Sequence, residues 1–176
     1  MIETARLILR PYREADRAPF RAMMADPDVM HDYPAPFSAE EADAYFERRR
    51  GQIVAHGFGK WAIERRADGA FLGFTGVSEA YPTLPVAPAL EIGWRLVKGA
   101  WGEGYASEAA RAALIDAFER TGAARILAFT LTTNQRSLAV MHRLGLERDA
   151  ERDFVFETRL PAAVYVARRA LWAAAA

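Results

Sequence analysis

The sequence has no cysteine and little histidine, and both absences restrict the chemistry available to it. Without cysteine there can be no disulfide bond, no thiol nucleophile and no thiolate metal ligand. The three histidines, His31, His56 and His142, are far apart in the sequence, and no two of them have the spacing of metal ligands. We therefore predict that the protein holds no metal.

The chain also lacks a surplus of either charge and a long hydrophobic run. Lys and Arg together number 23, as do Asp and Glu, whereas proteins that bind nucleic acid usually carry a basic surplus. No apolar run approaches the roughly 20 residues of a membrane span, and residues 1–6 do not resemble a signal peptide. We expect a cytoplasmic protein that binds neither nucleic acid nor membrane. The one basic cluster, Arg48-Arg49-Arg50, is expected to be a solvated helix end.

What remains is the composition of a globular enzyme-sized domain. Of the 176 residues, 52% are apolar and 26% are charged. This length is typical of one domain, and no repeat or linker divides it, so residues 1–176 are expected to form a single unit.

The hydrophobic patterns predict an α/β (α+β) domain with a mixed sheet. A capping box at Ser38-Ala39-Glu40-Glu41 marks the start of one helix. The predicted helices span residues 16–25, 38–54, 105–120 and 135–144. The predicted strands span residues 7–9, 60–66, 71–78, 90–97 and 125–131, with weaker ones at 155–156 and 163–170. The last four residues, 173–176, are expected to be disordered.

A glycine-containing segment between a predicted strand and a predicted helix carries the clearest chemical signal. It reads Trp101-Gly102-Glu103-Gly104-Tyr105-Ala106. Glycines allow a tight turn and close approach of a ligand, and the free amides at the start of a helix suit a phosphate. No lysine follows Gly104, which excludes a P-loop. The next strand ends in residues 132–134 without an acidic residue, which disfavours a dinucleotide fold. A plain glycine turn remains an alternative.

Two motifs in order make this sequence similar to one family. The glycine segment, with Ser107-Glu108-Ala109 after it and Glu91-Ile92-Gly93-Trp94 before it, resembles the CoA-pyrophosphate loop of the GNAT superfamily of N-acetyltransferases, in its RimJ/RimL-like branch. Asn134-Gln135-Arg136-Ser137, followed by Leu144-Gly145-Leu146, resembles the Asn-x-x-Ser helix of the same family. The similarity extends over most of the chain.

The resemblance implies a fold and an activity. It implies a mixed, mostly antiparallel central sheet that splays open at the acetyl-CoA site and is flanked by helices. It also implies direct transfer of an acetyl group from acetyl-CoA to a primary amine, either a peptide or protein N-terminus or a small molecule. Two alternatives are a catalytically inactive acyl-CoA-binding or sensor module and an antibiotic-modifying enzyme, for which the sequence shows no acidic cluster. A monomer or a homodimer is expected, with Tyr165 and Trp172 as interface candidates.

The resemblance also assigns residues to the acetyl-CoA site. The backbone of Trp94 and Leu96 would pair with the pantetheine arm, and the glycine segment would offer amides to the pyrophosphate, with the Glu103 side chain turned to solvent. The expected cofactor-binding residues are Trp94, Leu96, Trp101, Gly102, Glu103, Gly104, Tyr105, Ala106, Ser107, Asn134 and Ser137.

Three residues are the catalytic candidates. Ser137 would donate a hydrogen bond to the departing CoA thiolate, because Met141 stands where many family members have a tyrosine acid. Asn134 would bind the pantetheine arm, cap the following helix, or do both. Glu91 is the first candidate for the general base. A structural carboxylate paired with Arg95, on the same strand face, is an equally open interpretation of Glu91.

Overall fold

The computed structural model describes residues 1–156 and 158–172. The strands are β1 (Ile2–Glu3), β2 (Leu7–Arg10), β3 (Lys60–Arg65), β4 (Phe71–Glu79), β5 (Leu90–Leu96), β6 (Arg125–Leu131), β7 (Glu147–Arg148), β8 (Phe154–Val155) and β9 (Pro161–Arg168). The α-helices are α1 (Arg17–Ala25), α2 (Ala39–His56), α3 (Tyr105–Thr121), α4 (Gln135–Arg143) and α5 (Arg169–Trp172). Short 3₁₀ turns lie at Glu14–Asp16, Lys98–Ala100 and Ala150–Arg152.

The strands of this part of the chain form one mixed sheet in the order β1-β2-β3-β4-β5-β6-β9-β7, with β8 beside β9. Every pairing in the sheet is antiparallel except that of β5 with β6. The parallel pair requires a crossover, and α3 supplies it. The mostly antiparallel mixed sheet expected from the sequence is therefore confirmed.

Helices cover the two faces of the sheet. Phe74 of β4 packs against Phe20 of α1 and Tyr45 of α2, which places these helices on one face. Side chains alternate along a strand, so Val77 and Ile92 point to the opposite face, where α3 contacts β4 and β5. Both faces contribute to a core in which these residues are buried.

Local sequence signals explain where the main helices begin and end. The Ser38 hydroxyl accepts a hydrogen bond from the Glu41 amide, and the Ser38 amide donates one to the Glu41 carboxylate, so the predicted capping box is confirmed at the start of α2. Gly57 follows this helix with φ of 71°, and Gly122 follows α3 with φ of 65°. Both glycines adopt the left-handed conformation that terminates helices.

Several predictions about the chain need correction. The basic cluster is not a helix end, because α2 continues to His56 and Arg49 is buried. Tyr165 and Trp172 are each 6% exposed, so they belong to the core of this chain and not to an interface. The strand predicted at 163–170 ends earlier, at Arg168, because α5 begins at the next residue, Arg169.

Other element boundaries shift by a few residues. The weak strand predicted at 155–156 is β8, one residue earlier, and β1 and β7 were not predicted. The tail at 173–176 lies outside the described residues. None of the described helices is long and apolar enough to cross a membrane.

Candidate active site

The sheet opens between its two parallel strands. Within the described chain, β5 and β6 pair at one position only, Glu91 with Leu127. In contrast, every residue of β5 pairs with a residue of β4. Beyond Glu91 the facing edges of Ile92–Leu96 and Ala128–Leu131 diverge, which leaves backbone N–H and C=O groups free to pair with an extended ligand. This divergence corresponds to the opening beside Trp94 and Leu96 that the family resemblance implied.

The glycine segment closes one end of this opening and begins α3. Gly102 has φ of 84° and Gly104, the N-cap residue, has φ of 78°. A residue with a side chain rarely adopts such angles, so the glycines are required for the turn. The first intrahelical bond runs from the Glu108 amide to the Gly104 carbonyl, so the amides of Tyr105, Ala106 and Ser107 have no intrahelical acceptor. These three amides and the helix dipole are of the kind that suits an anion.

The side chains of the glycine segment fit a phosphate-bearing ligand. The hydroxyl of Ser107 is buried and has no hydrogen-bond partner among the described residues, so it is free to bond a ligand. The Glu103 side chain is exposed, as expected, and keeps its negative charge away from the amides. Together these features are compatible with the pyrophosphate of CoA.

A contact that the sequence did not predict holds this segment in place. Arg6, on the turn between β1 and β2, donates to the Glu103 carbonyl at 3.0 Å and stacks on the Tyr105 ring at 4.6 Å. It also pairs with Glu108 at 2.7 Å, and Thr4 donates to the same carboxylate at 2.6 Å. Although burial opposes it, hydrogen bonds from Thr4 and Arg6 lower the pKa of Glu108. The N-terminal strands therefore anchor the start of α3.

Asn134 and Ser137 lie at the start of α4. The Asn134 side-chain oxygen accepts a hydrogen bond from the Ser137 amide at 3.1 Å, so Asn134 is the N-cap of this helix. The cap uses the oxygen, which leaves the amide nitrogen of Asn134 for another acceptor. The Ser137 side chain is partly exposed, and Met141, one turn further, is buried in the core.

Trp101 connects the ends of these elements. Its indole N–H donates to the Leu96 carbonyl at 3.0 Å, so one lone pair of that carbonyl is already used within the protein. Arg136, in the first turn of α4, lies over the Trp101 ring at 4.0 Å. Trp101, which shortly precedes α3, thus contacts the first turn of α4 through Arg136, whose guanidinium adds a positive charge there. Arg136 was not singled out from the sequence.

Glu91 lies at the apex of the opening and has a different partner from the one predicted. Its carboxylate is 2.8 Å from the Lys60 ammonium and accepts a hydrogen bond from the Ser78 hydroxyl at 3.1 Å. The proposed pairing of Glu91 with Arg95 is wrong, because Arg95 forms a bidentate pair with Asp32 at 2.8 and 2.9 Å. Lys60 and Glu91 are brought together by the register of three strands, which no local motif specifies.

The Lys60 side chain is unusual in its burial. It is 2% exposed, and its pKa is lowered to about 8, mainly by burial; Glu91 opposes this shift and the Arg49 charge contributes to it. Its position depends on Gly93, because a Cβ at that residue would lie 2.9 Å from the ammonium. Lys60 therefore carries a charge that is lost close to neutral pH, directly beside the candidate base.

The site contains no cluster suited to a metal. Among the described residues, no group of three or more His, Asp or Glu side chains is placed to hold an ion. The groups that converge on the opening are backbone amides, hydroxyls, one amide side chain and one ion-paired carboxylate. Such groups position a substrate and stabilise developing charge.

Comparison with known proteins agrees with this geometry. The family model described as Acetyltransferase (GNAT) domain matches residues 6–147. The chain is 28% identical over 144 residues to the uncharacterized protein YkkB of Bacillus subtilis, which covers 81% of this chain and 83% of that protein. It is 33% identical over 153 residues to the FsC-acetyl coenzyme A-N(2)-transacetylase of Aspergillus fumigatus, which covers 82% of this chain and 64% of that enzyme.

A solved structure extends the comparison to the fold. The crystal structure of an acetyltransferase from Agrobacterium tumefaciens str. C58 superposes with a TM-score of 0.81 at 28% identity, covering 96% of this chain and 94% of that one. The family match, the diverging parallel strands and the glycine turn at the start of α3 all point to the same conclusion. The chain belongs to the GNAT acetyltransferases, enzymes that use acetyl-CoA as their acetyl donor.

Proposed function

We propose that this protein transfers the acetyl group of acetyl-CoA directly to a primary amine, on a peptide N-terminus or a small molecule. The observation that supports this most is the opening between β5 and β6, with an anion site at one end and an ion-paired carboxylate, Glu91, at its apex. The free strand edges would align the pantetheine arm, which would bring the thioester close to Glu91. Positioning of this kind contributes much of the rate in such reactions.

The residues at the anion site have distinct proposed roles. The amides of Tyr105, Ala106 and Ser107, with the Ser107 hydroxyl, bind the pyrophosphate, and Gly102 and Gly104 allow its close approach. The strand backbone at Trp94 and Leu96 pairs with the arm. Since the Leu96 carbonyl already accepts from Trp101, the backbone of Trp94 is the stronger of the two candidates.

The chemical step needs a neutral amine and a leaving thiolate. The amine lone pair forms a bond to the acetyl carbonyl carbon, the carbon–sulfur bond breaks, and the electron pair leaves with sulfur. Glu91 accepts the proton of the amine, directly or through water, and the Lys60 ammonium lies 2.8 Å from that carboxylate. The Ser137 hydroxyl donates a hydrogen bond to the thiolate, and the Asn134 amide nitrogen donates to the pantetheine arm.

We also propose that the protein belongs to the RimJ/RimL-like branch. The residues Glu91-Ile92-Gly93-Trp94 and Ser107-Glu108-Ala109 support this, because both follow the pattern of that branch at the positions where β5 and α3 meet the opening.

Calorimetric titration with acetyl-CoA tests the anion site. Gly104→Trp should weaken binding about 10-fold or more, because its side chain fills the site and strains the turn. Gly122→Trp is the matched control: it is the left-handed residue at the other end of the same helix, with a nearest neighbour 3.7 Å away against 3.6 Å at Gly104. Wild-type and control proteins that bind acetyl-CoA equally well, with CoA released on addition of amines, would support the proposal. Equal binding by Gly104→Trp would contradict it.

A further inference from the structure

Among the described residues, a buried arginine near the candidate base has no carboxylate partner. Arg49 of α2 is 4% exposed, and it donates to two neutral oxygens, those of the Gln52 amide and the Tyr45 hydroxyl. Its Nε–H has no hydrogen-bond partner, and none of the ion pairs in the described chain includes it. A guanidinium keeps its charge and carries five N–H donors, so a buried one without an anion is costly to the fold.

Two further donors around Arg49 also lack partners. The Tyr12 hydroxyl is buried without a hydrogen bond. The Lys60 ammonium lies 2.8 Å from Glu91, yet it is not aligned for a hydrogen bond, so its pairing is electrostatic and its N–H groups are not satisfied. Lys60 and Glu91 pair directly, and Arg49 is linked to them through Gln52 and Ser78, which hydrogen-bond to Arg49 and Glu91 respectively and line the same cavity. Because Glu91 pairs with Lys60, the charge of Arg49 is left without a carboxylate partner among the described residues.

A small cavity is lined by residues that contact or directly precede these groups. Its volume is about 50 Å³, which is enough for a carboxylate group or a few water molecules. Three of its lining residues are next to the cluster formed by Arg49, Lys60 and Glu91. Gln52 accepts a hydrogen bond from Arg49, Ser78 donates one to Glu91, and Gly59 precedes Lys60 in the chain. The rest of the wall is formed by His56, Phe58 and Glu79. The exposed His56 and Glu79 lie where the cavity meets solvent.

Arg48, which precedes Arg49 in α2, is exposed at the surface. Arg48 stacks on the Tyr45 ring at 4.6 Å and Arg49 stacks on the same ring at 4.5 Å. Arg48 donates to the Tyr81 hydroxyl at 2.9 Å and, like Arg49, takes part in none of the ion pairs of the described residues. Arg48 therefore adds a positive charge at the surface beside Arg49, which favours anions and opposes polycations there, whereas the Glu79 carboxylate lies at the mouth of the cavity.

We propose that Arg49 and Lys60 bind a carboxylate on the amine acceptor, so that the acceptor is a small amino acid-like molecule whose amine and carboxylate lie a few bonds apart. The inference rests on the proposed function, because it assumes that the amine reacts beside Glu91. An arginine fork is well matched to a carboxylate, which would satisfy the donors that the protein leaves unpaired. A polyamine or an aminoglycoside would instead bring further positive charge against two buried cations.

The test compares acceptors that differ in the carboxylate alone. A panel of L-amino acids and the matching L-amino acid amides is offered with acetyl-CoA, and CoA release gives kcat/KM for each. The amides also represent a peptide N-terminus. The wild-type protein should prefer the acid of the best pair by about 10-fold or more, since a site built for a charged group rejects a ligand that lacks it.

Arginine variants test whether Arg49 is responsible for the preference for the acid over the amide. Arg49→Gln should lower kcat/KM for the acid at least 10-fold and leave that of the amide within about 2-fold. Arg49→Lys keeps the charge and should retain part of the preference. Arg50→Gln is the matched control, because Arg50 is the exposed neighbour on the same helix and should leave both values unchanged. Thermal melting shows whether each variant is folded.

Specific outcomes overturn the inference. If amides or polyamines react as fast as the acids in the wild-type protein, the inference is overturned. This result does not depend on whether the variants fold. A preference that survives Arg49→Gln would also overturn the inference, and would mean that the cluster holds structural water. If no panel member reacts, calorimetry with N-acetyl amino acids and CoA replaces turnover, and failure of these product analogues to bind overturns the inference. Loss of acetyl-CoA binding itself would instead refute the proposed function.

Discussion

Asn134 has two proposed uses that separate cleanly by substitution. Its side-chain oxygen caps α4 by accepting from the Ser137 amide at 3.1 Å, and its amide nitrogen is proposed to bind the pantetheine arm. Asn134→Asp and Asn134→Ser keep an oxygen for the cap and remove the nitrogen donor. Asn134→Ala removes both.

The structure gives the expected size of each effect. Asn, Asp and Ser are about equally good N-caps, so the first two variants should melt within about 1 °C of the wild-type protein. Loss of the cap in Asn134→Ala costs about 1 kcal/mol, which lowers the melting temperature by roughly 2–4 °C in a chain of this size. Loss of one hydrogen bond to the arm costs about 1 kcal/mol, which weakens acetyl-CoA binding roughly 5-fold.

Two measurements on the same four proteins check this. Calorimetric titration gives the dissociation constant for acetyl-CoA, and thermal melting without ligand gives stability. All three variants should bind more weakly, and Asn134→Ala alone should also melt earlier. Asn134→Ser is the neutral comparison that separates loss of the donor from repulsion by the Asp charge. If Asn134→Ser and Asn134→Asp bind acetyl-CoA as well as the wild-type protein, Asn134 is a helix cap and nothing more.

Three further predictions concern catalysis, charge and backbone. Ser137→Ala should lower kcat about 10-fold with little change in the KM for acetyl-CoA, as measured by CoA release. A KM that rises by as large a factor as kcat falls would contradict a role confined to the leaving thiolate. Because the pKa of Lys60 is about 8 in the folded protein and 10.5 in the unfolded chain, the folded state binds fewer protons between these values and its stability rises with pH. The urea unfolding free energy should therefore rise by about 2 kcal/mol more in the wild-type protein than in Lys60→Met from pH 7.5 to 9.5, and a constant difference would refute the shift. Gly73→Ala should destabilise by about 3 kcal/mol or more, because its Cβ would lie 2.1 Å from the Arg95 carbonyl, whereas Gly51→Ala in open space should stabilise α2 by about 0.5–1 kcal/mol in the same urea assay.

The sequence was a good guide wherever the signal is local. The capping box at Ser38 set the start of α2, and the two glycines of the segment before Tyr105 indicated the turn at which α3 begins. The predicted strand at 125–131 matches β6 residue for residue. Asn134 was correctly interpreted as a possible cap, because capping depends on the next three residues alone.

Predictions that depended on distant contacts were less successful. Strand alternation placed Glu91 and Arg95 on one face, which is correct, and from that the sequence suggested that they pair. Their actual partners, Lys60 and Asp32, come from other elements. Alternation restricts the direction of a side chain, but its partner is set by which strands and loops lie alongside.

The amino-acid sequence by itself determined the helices, most of the strands, the glycine turn and the family, because these follow from propensity, capping and motifs within short windows. The tertiary structure alone decided that Arg49 is buried, that Lys60 forms an ion pair with Glu91, and that Arg6 anchors the start of α3. The physical reason is that burial and ion pairing depend on the register of the sheet and on the helix packed against it. Both bring together residues that no local pattern relates.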